Sequence, residues 1–372
     1  EHGDLTRRSW TQTDVPPLLP EPNMPSMVDS LRRMLLSTVP SWDEFVKWEE
    51  ELIHDAFEPT PKVVALAKKL AEGANTPSEK LARIHQHVMM AIRYQQDYED
   101  NIAGVKPHAA PVVMERGYGD CKDKSVLFIT LAREMGLDAW FALVRTSGSG
   151  KVDKGVPMQQ FNHAIVYVPK QAGVAARFYD PTADALDLDA LRPDDQGTLS
   201  LVYDPRTREY QFLTIPFDSP KKHHVGIQVD LVVADDGGLS GEVDISAVGA
   251  AGSLVRRAAR NEQMLSQVFQ ALLNGLWPGA SAGQAGPVEV TDLTVPARLL
   301  GNFTSSVPVR DGEFGVQFPI LGESKAWALA TREHALMLGA PGSQTVVIKA
   351  TIPSWATVVQ LPQSATAHAP CI

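Results

Sequence analysis

Cys121 lies in the segment Gly119-Asp120-Cys121-Lys122-Asp123. Gly117 and Gly119 permit a tight turn, and Asp120 is a good N-cap, so the thiol falls in the first turn of a helix. There the unpaired N–H groups present a partial positive charge, which stabilises a thiolate. The same groups can hold the oxyanion that forms when sulfur attacks a carbonyl. A nucleophile benefits from this placement, although a cysteine at a helix start is often merely structural. A thiolate also needs a base. His163 sits in Phe161-Asn162-His163-Ala164-Ile165-Val166-Tyr167-Val168, where a period of two puts His163, Ile165 and Tyr167 on one strand face. An imidazole in so apolar a strand needs a polar partner, and a hydrogen-bonded core histidine is the alternative reading. Asp180, at a strand end before Pro181, can reach a neighbouring strand, orient the ring and stabilise its charged form. A plain Asp-Pro turn is the alternative there. Asp184, Asp187 and Asp189 stand near enough to compete for the role.

Three kinds of element must position these groups. Helices dominate residues 41–93. Ser41-Trp42-Asp43-Glu44 and Thr76-Pro77-Ser78-Glu79 are capping boxes, and Thr60-Pro61 opens a helix that stops near Gly73. Residues 94–118 read as a loop, and the helix after Asp120 ends near Gly136. Strands are expected over Ala139–Arg145, Phe161–Val168 and Arg177–Asp180, with residues 147–157 as a flexible connection. From residue 216 the texture changes. Val225–Val233 and Leu239–Ile245 alternate around Asp235-Asp236-Gly237-Gly238, a hairpin turn signal. One helix over 251–275, with Leu254, Met264, Val268 and Leu272 as core candidates, then precedes short strands such as Gly315–Ile320 and Gln344–Ile352. That half reads as a β-sandwich with a helical insertion.

The bulk numbers narrow the function classes. The 372 residues suffice for two or three domains, and 44% hydrophobic with 21% charged residues allows ordinary cores. A net charge of −10 argues against a nucleic-acid binder. No apolar run reaches the roughly 18–20 residues of a membrane span. Two cysteines, Cys121 and Cys371, make neither a disulfide scaffold nor a cysteine-rich zinc site. Gly148-Ser149-Gly150-Lys151 lacks the spacing of a phosphate loop and reads as a surface loop. His223-His224 beside Lys221-Lys222 reads as a solvated linker rather than a metal site. His85 and His87 are not spaced as helical ligands, His108 is placed to line the cleft, and Trp140 is core. No metal and no cofactor is expected.

The order of helix-start Cys, strand His and strand-end Asp resembles the transglutaminase-like core of the papain-like fold. Arg116-Gly117-Tyr118-Gly119-Asp120-Cys121-Lys122-Asp123 is similar to the Cys motif of bacterial multidomain members of that superfamily. Phe161-Asn162-His163-Ala164 is similar to its His motif and Tyr179-Asp180-Pro181-Thr182 to its Asp motif. Thr76-Pro77-Ser78-Glu79-Lys80 and Ile92-Arg93-Tyr94 match upstream. The resemblance implies an α+β chain in three parts. Residues 1–35 would be the remnant of an N-terminal β-sandwich or a linker, 36–215 a papain-like transglutaminase catalytic domain, and 216–372 a C-terminal β-sandwich domain. It also implies Cys121 as nucleophile, His163 as base and acid, Asp180 as orienter, and a periplasmic or extracellular home. The segment after Tyr94 departs from the family's pattern, so an oxyanion-hole donor from Gln95 or Gln96 stands beside the safer backbone N–H of Cys121. The activity expected is acyl transfer on a protein or peptide substrate through a thioester, with water as acceptor. A crosslinking transglutaminase, a catalytically inactive peptide-binding scaffold and a zinc hydrolase are the rivals.

Overall fold

The computed structural model describes residues 9–96, 104–306, 329–361, 363, 364 and 366. The helices of the first half form where a cap meets an apolar stripe. After a single turn, α1 (Met27–Ser30), come α2 (Trp42–Ile53), α3 (Pro61–Ala71) and α4 (Pro77–Ala91). Ser41 Oγ accepts from Glu44 N at the start of α2, and Thr76 with Glu79 closes a reciprocal capping box on α4. Trp42, Phe45, Val63, Leu81, Ile84 and Val88 turn inward, whereas Trp48 stays exposed. The stretch read as loop contains a short helix, α5 (Ala110–Arg116), with Pro111 in its first turn and Gly117 left-handed at its end (φ 68°). Two short strands, β1 (Arg93–Tyr94) and β2 (Tyr118–Gly119), pair in parallel just before α6 (Cys121–Glu134).

Helix α6 is buried along most of its length and packs on an antiparallel sheet. The strands are β3 (Trp140–Val144), β4 (His163–Val168), β5 (Arg177–Tyr179), β6 (Leu199–Tyr203) and β7 (Tyr210–Thr214), in spatial order β5-β4-β3-β6-β7. The last two escaped the sequence reading. One face of this sheet, with Phe141, Ala164, Val166 and Tyr203, joins the helical core. The other, with Val144, Ile165, Phe178 and Val202, is covered by Leu191 and Ile215 of the connecting segments. This double burial explains why these strands read as apolar runs rather than alternating ones.

A second core gathers around a five-stranded sheet ordered β10-β11-β9-β8-β12. Its strands are β8 (His224–Val233), β9 (Gly238–Ala247), β10 (Ser281–Glu289), β11 (Ala297–Ser306) and β12 (Ser343–Thr351). The expected hairpin joins β8 to β9, and β12 adds in parallel to β8. The helical stretch is two helices, α7 (Ala250–Ala258) and α8 (Glu262–Leu276), with Asn261 capping the second. That break rotates the buried face. Val255, Ala258, Leu265, Phe269 and Leu273 are inside, while the expected core residues Leu254 and Met264 are exposed and Val268 and Leu272 only line the edge. Among the described residues the layer assigned to a second sheet is occupied by these helices, which cover one face of the sheet. The opposite face, with Gln228, Asp230 and Val232, is exposed. The expected strand Gly315–Ile320 lies outside the described residues. The chain is α+β, and no described helix is long and apolar enough to cross a membrane.

Two sets of contacts tie segments to the site. Upstream of α2 and at its first residue, Asp29 Oδ1 accepts from Lys151 N (2.9 Å), Arg33 Nη2 donates to Lys151 O (3.4 Å), Ser37 Oγ donates to Pro157 O, and Trp42 Nε1 donates to Lys154 O (2.8 Å). Residues 147–157, expected to be a flexible connection, are thus held along their backbone. From the second core, buried Arg256 of α7 reaches Asp187 (3.0 and 3.2 Å), Ala185 O (3.1 Å), Asp292 O (3.3 Å) and Val295 O (2.6 Å). It thereby grips the loop that follows Asp180.

Candidate active site

Two interlocked acids build the turn that carries Cys121. Asp120 Oδ1 accepts from Asp123 N (3.4 Å), and Asp123 Oδ2 accepts from Asp120 N (3.2 Å). Asp123, fully buried, also accepts from His108 N (2.8 Å) and Arg116 Nη2 (3.2 Å). One carboxylate therefore gathers the loop before α5, the end of α5 and the start of α6. His108 does not simply line a cleft: its ring packs on Asp123 and Arg116. Gly119 is required, because a Cβ there would lie 2.7 Å from Asp123 Cβ. Lys122 pairs with Asp120. Lys124 is buried and donates to Ile92 O (2.7 Å) and Met89 O (3.4 Å), the open carbonyls at the end of α4, where a cation suits the helix dipole. Burial pushes its ammonium down to about 8. Ser125 Oγ bonds Cys121 O (2.8 Å) and Ala164 O (3.1 Å), fastening the first turn of α6 to β4 beside His163.

His163 begins β4, and Asp180 follows β5 directly. These strands pair antiparallel with Val166 opposite Tyr179. Continuing that register sets Asp180 beside Ile165, on the face that His163 shares. His163 Nε2 lies 3.1 Å from Asp180 Oδ2, and the Cys121 side chain hydrogen-bonds the same ring. Cys121 is half-buried; His163 and Asp180 are buried. Burial works against a charged imidazole. The negative charge and hydrogen bond of Asp180, with help from Cys121 and Asp195, outweigh it and hold His163 well above its usual range. Asp180 shows the mirror image: burial raises it, but His163, Arg192 and Thr182 hold it below the usual carboxylate range.

Neighbours that sequence reasoning missed fix Asp180 in place. Thr182 N (2.8 Å) and Oγ1 (2.6 Å) both donate to Oδ1, and His85 Nε2 lies 3.1 Å from the Asp180 carbonyl oxygen. His85 is buried, edge-on to Tyr179, and its ring falls to about 4, chiefly through burial. Arg192 places Nε 3.6 Å from Asp180 Oδ2 and Nη1 3.4 Å from His163 Nε2. Asp195 Oδ1 lies 4.0 Å from His163 Nε2. Arg192-Pro193-Asp194-Asp195 signalled only a turn in the sequence; its closeness to the ring comes from the return of the chain into β6.

The competing acids are committed elsewhere. Asp184 pairs with Arg260 (2.7 Å), Asp187 with Arg256, and Asp189 with Lys222 (3.4 Å). Gln95 Oε1 accepts from Arg93 Nη2 (2.6 Å), while Gln96 hydrogen-bonds the Tyr94 side chain, whose phenol senses the charge of Cys121. His223 is not solvated: its ring is buried against Asp218 (3.2 Å) and Gln196 (3.1 Å). Among the described residues, His163, Asp180 and Asp195 form a cluster with metal-ligand spacing, one donor atom from each lying within 4.8 Å of the others.

The family profile of the transglutaminase-like superfamily matches residues 64–170, a stretch that holds Cys121 and His163 and ends before Asp180. Among curated proteins none matches the sequence. A crystal structure from Parabacteroides distasonis ATCC 8503, provisionally described as a protease, aligns with a TM-score of 0.40 at 11% identity, covering 72% of this chain and 53% of that one. The chain spans about half the length of that protein.

Proposed function

We propose that this chain, whose residues 64–170 match the transglutaminase-like superfamily profile, is a cysteine acyl-transfer enzyme acting on peptide or amide carbonyls, with water as the final acceptor. The observation that carries this reading is the meeting of Cys121, His163 and Asp180 around one imidazole. A ring held well above its usual range favours an imidazolium beside a thiolate. The thiolate adds to the carbonyl carbon, forming a C–S bond and an oxyanion. The free N–H groups at the start of α6 face that charge, with the Gln96 amide as the side-chain candidate and Gln95 behind it. The oxyanion collapses, the C–N bond breaks, and His163 delivers its proton to the departing amine. His163 then takes a proton from water as the water oxygen attacks the thioester carbonyl. Collapse releases the acid and returns the ion pair. Asp180, fixed by Thr182 and His85, keeps Nε2 occupied so that Nδ1 serves the sulfur. We assign this chemistry to residues 36–215 and a supporting role to 216–372.

An amine that reaches the thioester before water would give a crosslink through the same residues. Intact-mass detection of an acyl adduct from a peptide library tests the common step. The adduct should form on wild type and vanish with Cys121→Ala. Iodoacetamide should label Cys121 rapidly below about pH 7, and His163→Ala should slow it. Labelling no faster than a free thiol, with no adduct, would leave a peptide-binding scaffold.

A further inference from the structure

Asp195 is a fully buried acid beside the triad that the acyl-transfer scheme leaves unused. Neither of its oxygens receives a hydrogen bond. Yet one of its oxygens lies within 4.8 Å of an Asp180 oxygen and 4.0 Å from His163 Nε2. Two carboxylates can only accept; one proton between them turns repulsion into a bond. Burial, and next the negative charge of Asp180, push Asp195 well above the usual carboxylate range. The charged groups facing it are Asp180 after β5, His163 of β4 and Arg192 of its own segment, while Lys124 of α6 acts on Asp180. A metal ion would use the same three donors. It would have to share their face with the Arg192 guanidinium, which stands 3.4 Å from His163 Nε2 and 3.6 Å from Asp180 Oδ2. A proton needs no such room.

We propose that Asp195 is a positioning residue that keeps a proton and donates it to Asp180, so that the two present His163 with one hydrogen-bonded acid–carboxylate unit of single negative charge. The proton stays within the pair throughout turnover; His163 alone exchanges protons with sulfur, amine and water. The effect on rate rests on the acyl-transfer reading, whereas the protonation itself belongs to the resting protein.

Infrared spectroscopy at pH 7 separates the two. Glu49, pushed up to about 8 by burial, is a second neutral acid, so the measurement is made on Glu49→Gln. The carbonyl stretch of a protonated carboxyl should persist in Glu49→Gln and disappear in Glu49→Gln/Asp195→Asn. Its absence from Glu49→Gln would overturn the proposal, and this holds even if an Asp195 variant fails to fold. For rate, Asp195→Ala should slow peptide turnover by about tenfold or more, the value of a lost bond to a charged group. Asp195→Asn, whose amide can donate to Asp180, should restore most of it. Equal loss in both variants would mean that Asp195 works as an anion, against the proposal. So would stoichiometric zinc binding that Asp195→Asn abolishes. A band present without any acyl adduct would sink the acyl-transfer reading and leave the shared proton standing.

Discussion

Replacing Arg256 with methionine would remove the donor shared by acceptors on both sides of the junction between the two cores. The guanidinium satisfies both oxygens of Asp187 and the carbonyls of Ala185, Asp292 and Val295. Its side chain and that of Asp187 are only 1% and 7% exposed. Removing one member of such a pair costs about 3–5 kcal/mol, because the remaining charge stays buried. Asp187 would keep the Gly249 N–H (2.6 Å), and the native Arg256 Nε already lacks an acceptor. Both facts point to the lower end, about 3 kcal/mol, or a factor of about a hundred in the opening of the loop after Asp180. Hydrogen exchange reads this directly at the amides of Ala183, Leu186 and Ala190, which bond within that loop. They should exchange about a hundredfold faster in Arg256→Met. Adding Asp187→Leu should recover much of the loss, since an apolar pair leaves no charge unpaired. Exchange at wild-type rates, or no recovery in the double variant, would refute the reasoning.

Gly119→Ala should lower stability by about 1–3 kcal/mol in urea unfolding, because the new methyl displaces Asp123 from the capping box. The raised His163 contributes stability that is complete below its unfolded value of about 6.5 and fades as pH rises through its folded one. Asp180→Asn should remove that contribution, and NMR of the ring protons should show His163 titrating lower than in wild type. Glu49, buried with an unbonded Oε2, holds its proton up to about 8 instead of 4.5, so stability should fall with rising pH across that window. Glu49→Gln should flatten the slope and leave the protein more stable at pH 8, as followed by denaturant midpoints.

The elements around Cys121 and His163 were legible because local chemistry dictates them. Asp120 and Thr76 cap helices wherever the chain goes, and β4 follows from an uninterrupted apolar run. Elements set by tertiary context were not. Helix α5 hides in a short loop whose helical turn depends on packing against α6. The break at Ala259–Asn261 separates the buried faces of α7 and α8, leaving Leu254 of the first and Met264 of the second outside, and a single periodic pattern drawn through both helices misses it. The site divides in the same way. The order Cys121, His163, Asp180 could be read in sequence. Arg192 and Asp195 lie 12 and 15 residues beyond Asp180, in a segment whose composition signals only a turn, and just the sheet's topology brings them to the ring. The partners of Gln95 and Gln96, the Arg93 guanidinium and the Tyr94 side chain, came into view only with the fold.

Residues 29–42 fasten residues 151–157 through the main chain of that stretch: the amide of Lys151 and the carbonyls of Lys151, Lys154 and Pro157. Within that stretch, Asp153 Oδ1 accepts from Gly155 N (2.8 Å), and the Lys154 ammonium lies over the Phe212 ring at 5.7 Å. At the remaining positions of the stretch the residue type can therefore drift while the path leading into Asn162 and His163 keeps its shape.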